Sequence, residues 1–119
     1  MTVERDDAEL VHGLAFFYWR RNQIERAAAL AYAAFRLGKT DARLGCLLAL
    51  TLVELGRPEQ SLEILRLTEN QEEEATQASR CTVRARALLH LGRLEEARAV
   101  FEQGLALQDD DEPPLLARN

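Results

Sequence analysis

Small, apolar and turn-forming residues recur along the chain with a period near 34 residues, which is the sign of an internal repeat. The signal is clearest where one helix would end and another begin, and the three aligned segments lie 34 and then 36 residues apart. Each starts with a turn residue and has a small residue five positions later. These segments are Asn22-Gln-Ile-Glu-Arg-Ala27, Gly56-Arg-Pro-Glu-Gln-Ser61 and Gly92-Arg-Leu-Glu-Glu-Ala97. The pattern predicts six helices, at 7–20, 24–37, 41–54, 58–70, 75–90 and 94–108.

The residues beside these turns explain how the helices would pair. A small residue in each first helix and another in each second helix let two helices approach closely, so that their ridges interlock. Gly56 and Gly92 suit the left-handed position that ends a helix, and Pro58 suits the first turn of the next one. Gly38 would end the second helix, and Thr40 and Asp41 would cap the third. The small residues are Ala15, Ala49 and Ala85 in the first helices, and Ala27, Ser61 and Ala97 in the second.

This arrangement resembles the tetratricopeptide repeat, which sets a small residue and an aromatic in a first helix and an Ala in a second. The resemblance implies an all-α fold, with three tandem helix hairpins that form a short right-handed α-solenoid around a concave groove. We expect one domain over 1–108, with repeats at about 8–40, 41–74 and 75–108. Arg84 stands where a large apolar residue is expected. The spacing to the third repeat is 36 residues rather than 34, and the two extra residues fall within 68–79. We read the acidic run 72–74 as a solvated loop or helix start, and 109–119 as an acidic, Pro-containing tail that is flexible or ordered by a partner.

In this architecture the first helices of successive repeats line the inner surface. The inward positions carried over from the family are His12, Phe16 and Trp19 in repeat one, Cys46, Leu47, Leu50 and Val53 in repeat two, and Thr82, Val83, Arg86, Leu89 and His90 in repeat three. Such an apolar wall suits the apolar face of an amphipathic partner helix. The alternative is that these residues are core, covered by the chain's own termini. Leu10 and Phe17 face the end of the stack instead, where the first residues or a second molecule would cover them.

Composition limits the classes of partner and the location that we expect for the protein. The 119-residue chain carries a net charge of −5, which argues against nucleic acid and anionic membrane. No apolar run is long enough to span a membrane, and the acidic N-terminus lacks the apolar core of a signal peptide, so we expect an intracellular protein. Cys46 and Cys81 have neither a disulfide framework nor metal-ligand spacing, and we read them as buried thiols.

Catalysis has little support in the sequence. The chain lacks a Gly-rich phosphate loop, a nucleophile elbow and an HExxH motif. His12 has Glu9 one turn back but no nucleophile beside it, and His90 has no carboxylate within a turn, so neither is arranged for general base chemistry. Cys46 would be reactive only if basic groups lowered its pKa. We therefore expect no catalytic residues, no metal site and no cofactor.

Three segments are similar to the small bacterial type III secretion chaperones, nearest to the YscY class. They are the early helix with its Leu14-Ala15 and aromatic run, the turn Ile24-Glu-Arg-Ala27-Ala, and the end of the chain from Gly92 to Gln108 followed by Asp109-Asp-Asp-Glu-Pro113. The resemblance implies a protein of the bacterial cytoplasm that binds and stabilises a small secreted export component of the YscX type and docks at the export gate. The alternatives are a needle-subunit chaperone, or a homodimeric scaffold or regulator unrelated to secretion. A homodimer ranks below the complex with a secreted partner.

Overall fold

Six helices account for the regular structure of the described chain. The computed structural model describes residues 3–69 and 76–111, with the side chains of 8–69 and 76–108, and that part contains no strand. The all-α prediction is therefore confirmed. The helices are α1 (Val3–Arg20), α2 (Ile24–Arg36), α3 (Ala42–Glu54), α4 (Pro58–Leu67), α5 (Gln77–His90) and α6 (Leu94–Asp111).

Each hairpin turn ends its first helix in the same way. Asn22, Gly56 and Gly92 have positive φ angles of 62°, 78° and 76°. The next backbone N–H reaches back to a carbonyl in the last helical turn: Gln23 to Tyr18 at 2.9 Å, Arg57 to Leu52 at 2.8 Å and Arg93 to Leu88 at 2.9 Å. This pairing is the Schellman motif, which satisfies helix-end carbonyls and needs a left-handed residue. The predicted turn positions are confirmed, and Asn22 fills in repeat one the place that glycine takes in the other two.

The small residues bring the two helices of each hairpin together, as predicted. Ala15, Ala49 and Ala85 are buried in the first helices, and Ala27, Ser61 and Ala97 are buried in the second. Ser61 remains satisfied in this apolar contact because its Oγ donates a hydrogen bond to the backbone oxygen of Ala49, at 2.7 Å. A larger side chain at any of these six positions would force the helices apart.

The hairpins stack in chain order, and α3 lies at the centre of the stack. It packs against α1 and α5 on its two sides and against α2 and α4 behind. Leu44, Leu48 and Leu52 of this helix belong to the main core cluster, with Leu65 of α4 and Val83 of α5. Asp41 caps the helix, since its Oδ1 accepts a hydrogen bond from the N–H of Leu44 at 2.9 Å, as predicted.

The third repeat departs from the pattern at Arg80 rather than at Arg84, where the sequence pattern placed the departure. Arg84 is only half-buried, whereas Arg80 is wholly buried. The guanidinium of Arg80 donates hydrogen bonds to the backbone oxygen of Leu65 at 2.5 Å and to Oγ1 of Thr68 at 3.1 Å. Arg80 stands 36 residues after Leu44, so a charged side chain occupies a core position of the repeat. Its hydrogen bonds fasten the end of α4 to α5.

Three predicted boundaries change by three residues or more. α1 begins at Val3 rather than at 7, α4 ends at Leu67 rather than at 70, and α6 continues to Asp111, three residues into the segment predicted as a tail. The acidic run 72–74 and the rest of the tail, 112–119, lie outside the described residues. For the run, the prediction of a solvated loop or helix start stays a prediction.

Candidate functional site

The first helices of the three repeats form a depression of about 440 Å³ on one side of the stack. Nine of the twelve residues predicted for the groove line it, together with Arg43, Thr76 and Ser79. The nine are His12, Phe16, Trp19, Cys46, Leu47, Leu50, Thr82, Val83 and Arg86. The structure thus brings most of the predicted positions to one surface; that a partner binds there stays a prediction.

Repeat one supplies an aromatic wall to this depression. His12, Phe16 and Trp19 lie on successive turns of α1, with ring centroids 6.2 Å apart for the first pair and 5.7 Å for the second. Phe16 is exposed, and the guanidinium of Arg20 lies 5.9 Å from its ring centre. Nε1 of Trp19 donates a hydrogen bond to Oε1 of Glu54 at 2.6 Å. This bond links α1 to the end of α3 and holds the indole in one orientation, which suits a rigid binding surface.

Repeats two and three supply the floor and one rim. Leu47 and Val83 are buried and form the floor of the depression, and Leu50, which also lines it, is half-buried. Arg43 and Arg86 are exposed at the edge. The described residues that line the depression include no acidic side chain. The surface therefore combines an apolar floor with positive charge, although the chain as a whole is acidic.

Three predicted groove residues lie elsewhere. Val53 is only 2% exposed and belongs to the core, because α3 has neighbours on both sides and its last turn is enclosed. Leu89 is 53% exposed and His90 is also exposed, but neither lines the depression. Both lie in the last turn of α5. The family's inward positions thus carry over for the middle of each helix. In the last turn they carry over for Trp19 of α1 but not for its equivalents Val53 and Leu89.

The two predicted end-face residues are at the surface. Leu10 is 70% exposed and Phe17 48% exposed, and neither lines the depression. Leu14, between them on α1, is 43% exposed. The guanidinium of Arg21 lies over the Phe17 ring, 4.8 Å from its centre. We call Leu10, Leu14 and Phe17 the α1 end face.

Two titratable groups of the depression, His12 and Cys46, are held in their neutral forms. Burial lowers the pKa of His12 below its ordinary value of 6.5, the nearby positive charge of Arg43 lowers it further, and Asp41 opposes both. Burial raises the pKa of the Cys46 thiol, and this outweighs the opposite effect of Arg80. Cys46 is therefore a protonated thiol at neutral pH, which is a poor nucleophile.

A second groove, which the sequence did not predict, lies between α2 and α4 on the other side of the hairpins. It encloses about 750 Å³, and its lining includes Tyr32, Phe35, Leu55 and Leu67, with Glu25, Arg57 and Glu63. The small residues Ala28 and Ala29 leave room on α2 for this cleft. The signal available in the sequence was the large apolar residues Tyr32, Phe35 and Leu67 in the second helices of the first two repeats.

Within 3–69 and 76–111, no three His, Cys, Asp or Glu residues are grouped so that they could hold a metal ion. None of the helices in those ranges combines the length and the apolar character that crossing a membrane requires.

Comparison with known protein families identifies the three repeats. The family model described as tetratricopeptide repeat matches the chain three times, at residues 8–31, 42–66 and 78–103, which together make up more than half of it. No curated protein sequence and no solved structure matches the chain significantly. The three matches coincide with the three helix hairpins, and members of this family typically act as scaffolds for protein–protein interaction rather than as enzymes. The chain belongs to the tetratricopeptide-repeat family.

Proposed function

We propose that the depression across α1, α3 and α5 binds a helical segment of a partner protein. The observation that carries this proposal is the convergence of Phe16, Trp19 and Leu50 from two repeats on one open, apolar surface. An amphipathic helix laid into such a groove removes apolar area from water on both partners. Trp19 is the expected hot spot, because its ring is large and its orientation is already set by Glu54.

The charge at the rim narrows the chemistry of the partner. Arg43 and Arg86 flank the apolar floor. A partner helix with acidic residues beside its apolar face would pair with these arginines, whereas a basic helix would be repelled. Such rim charges mainly set the association rate and the choice of partner, and they contribute less to the final affinity.

The finer proposal is that the protein is a cytoplasmic chaperone of a bacterial type III secretion system, of the YscY class. It rests on the resemblance of the early helix, the first hairpin turn and the last repeat to that class. The cargo would be a small secreted export component of the YscX type, which would be disordered alone and would fold against the depression. Sequestering that segment would keep its apolar face from aggregating, leave its export signal free, and allow delivery to the export gate.

Co-expression with a YscX-type protein tests both levels. We expect Phe16→Asp and Arg86→Glu to reduce recovery of the partner severalfold, since each alters an exposed residue of the depression. Phe101→Asp is the matched control, because Phe101 is comparably exposed on α6 and does not line the depression. Undiminished recovery with variants whose circular dichroism is unchanged would remove the depression from consideration.

The same experiment separates the chaperone from its alternatives. A chaperone should make the secreted component soluble when the two are co-expressed, and a needle-subunit chaperone should do so for the needle protein instead. If neither cargo is bound, while Phe16→Asp still abolishes binding of another protein, the secretion role fails and a scaffold role of the same surface stands.

A further inference from the structure

We propose that a second copy of this chain docks on the α1 end face, so that two α1 helices pack antiparallel about a two-fold axis near Leu14. This contact uses a different face of α1 from the depression. It does not rest on the proposed partner binding.

The first argument is the spacing of the exposed apolar residues. Leu10, Leu14 and Phe17 follow one another at intervals of four and three residues, and Arg21 comes four residues later. That alternation keeps side chains on one stripe of a helix and allows two such stripes to interlock at about 20°. All three apolar side chains are exposed by more than two fifths, so the stripe is accessible along its length.

The second argument is charge. Between residues 3 and 9, α1 carries four acidic residues and a single arginine, whereas residues 10–21 contain no acidic residue and two arginines. The helix is thus negative at its start and positive at its end. In an antiparallel pair centred on residue 14, residue 7 of one copy lies level with residue 21 of the other, because each is seven residues from the axis.

The position of Arg21 supports this register. Its guanidinium lies over the ring of Phe17, so a positive charge already stands at the edge of the apolar stripe. In the antiparallel pair, the end of α1 that carries Arg21 lies level with the acidic first part of the other α1, so the two ends of the contact have opposite net charges. A parallel pair would instead bring the two acidic starts together, and also the two basic ends.

The size of the apolar stripe determines how tightly the two copies are expected to bind each other. A two-fold contact of one helix face closes on itself and gives a dimer rather than a filament. A stable interface usually buries about 800 Å² on each partner. Three apolar residues on an 18-residue helix bury less than that. We therefore expect a reversible dimer with a Kd on the order of 10 µM or weaker.

Sedimentation equilibrium of the full chain, up to about 1 mM so that even a weak dimer is detected, provides the test. The wild type is expected to show a concentration-dependent monomer–dimer equilibrium. Leu14→Glu places two carboxylates beside the axis and should weaken the dimer at least about tenfold, with an unchanged melting temperature because Leu14 is exposed. Leu37→Glu, at another exposed leucine outside the stripe, is the matched control and should leave the dimer intact.

Cross-linking tests the orientation. Leu10→Cys and Phe17→Cys chains, mixed and mildly oxidised, should link to each other far more than either variant links to itself, with the wild type as the background for Cys46 and Cys81. A chain that stays monomeric throughout the range overturns the proposal. So do a dimer that survives Leu14→Glu, a dimer that is lost with Phe16→Asp instead, and cross-links within each variant.

Discussion

Leucines at equivalent positions of the first two repeats meet opposite environments. Leu10 and Leu14 stand 34 residues before Leu44 and Leu48, and each pair lies on the same side of the first helix of its repeat. Leu44 and Leu48 are completely buried, because α2 of the preceding repeat packs on that side of α3. Leu10 and Leu14 are exposed on α1. The comparison shows that in a repeat protein one residue pattern serves either the core or a surface, depending on whether a neighbouring repeat covers it.

The largest expected effect comes from truncating the buried Leu48, and truncation of its exposed equivalent Leu14 provides the comparison. Leu48→Ala should lower the free energy of unfolding by about 2–5 kcal/mol, because it removes buried methyl groups and leaves a cavity. Leu14→Ala should change it by no more than about 0.5 kcal/mol. Urea denaturation of the two variants beside the wild type measures both values. Equal losses would contradict the contrast between the two repeats.

Arg80 extends the comparison to the third repeat, since it occupies the position of Leu10 and Leu44. Arg80→Met keeps much of the side chain's length but removes the hydrogen bonds to Leu65 and Thr68, so we expect a loss of about 1–3 kcal/mol in the free energy of unfolding. Urea denaturation again gives the value. A variant as stable as the wild type would show that an apolar residue serves equally well there, as Leu44 does in repeat two.

Two glycines allow the exposed side of α1 to be compared with the packed side of α6. A Cβ added at Gly13 of α1 meets no atom within 4 Å, whereas one added at Gly104 of α6 would lie 2.9 Å from Cβ of Cys81. Gly13→Ala should therefore raise stability by about 0.5–1 kcal/mol through helix propensity alone. Gly104→Ala should lower stability despite the same gain, because the contact between α5 and α6 must open. Thermal unfolding should shift in opposite directions for the two variants.

The smallest effect concerns His12, whose equivalents in the next two repeats are Cys46 and Thr82. The pKa of His12 lies below its ordinary value of 6.5 in the folded chain, so the unfolded chain takes up a proton first as the pH falls through that value. Stability is therefore lost on acidification, until the pH drops below the folded pKa. His12→Gln removes this contribution. We expect the melting temperature of the wild type to fall more between about pH 7.5 and 5.5 than that of the variant.

The matched control for that measurement is His90→Gln, at an exposed histidine outside the depression. This second variant should retain the His12-dependent fall in the melting temperature. If His12→Gln and the wild type lose the same number of degrees on acidification, the neutral, half-buried state of His12 contributes nothing to stability.

Most of the candidate site could be predicted because it depends on helix register. Phe16, Leu47 and Val83 lie on the inner side of their helices at positions that the repeat sets, and the structure places all three in the depression. Val53 could not be placed in the same way. Its burial depends on how closely α1 and α5 approach the end of α3, and residue spacing within one helix carries no information on that distance.

The sequence by itself determined the six helices, the left-handed turns between them and the small residues that join each pair, because these depend on contacts within about 35 residues of chain. The tertiary structure alone decided which of the equivalent positions are covered. Leu10, Leu44 and Arg80 share one place in the repeat, yet the first is exposed, the second is in the core and the third is a buried cation bound to the end of α4. The physical reason is that burial belongs to the contact between neighbouring repeats, whereas helix formation belongs to each segment.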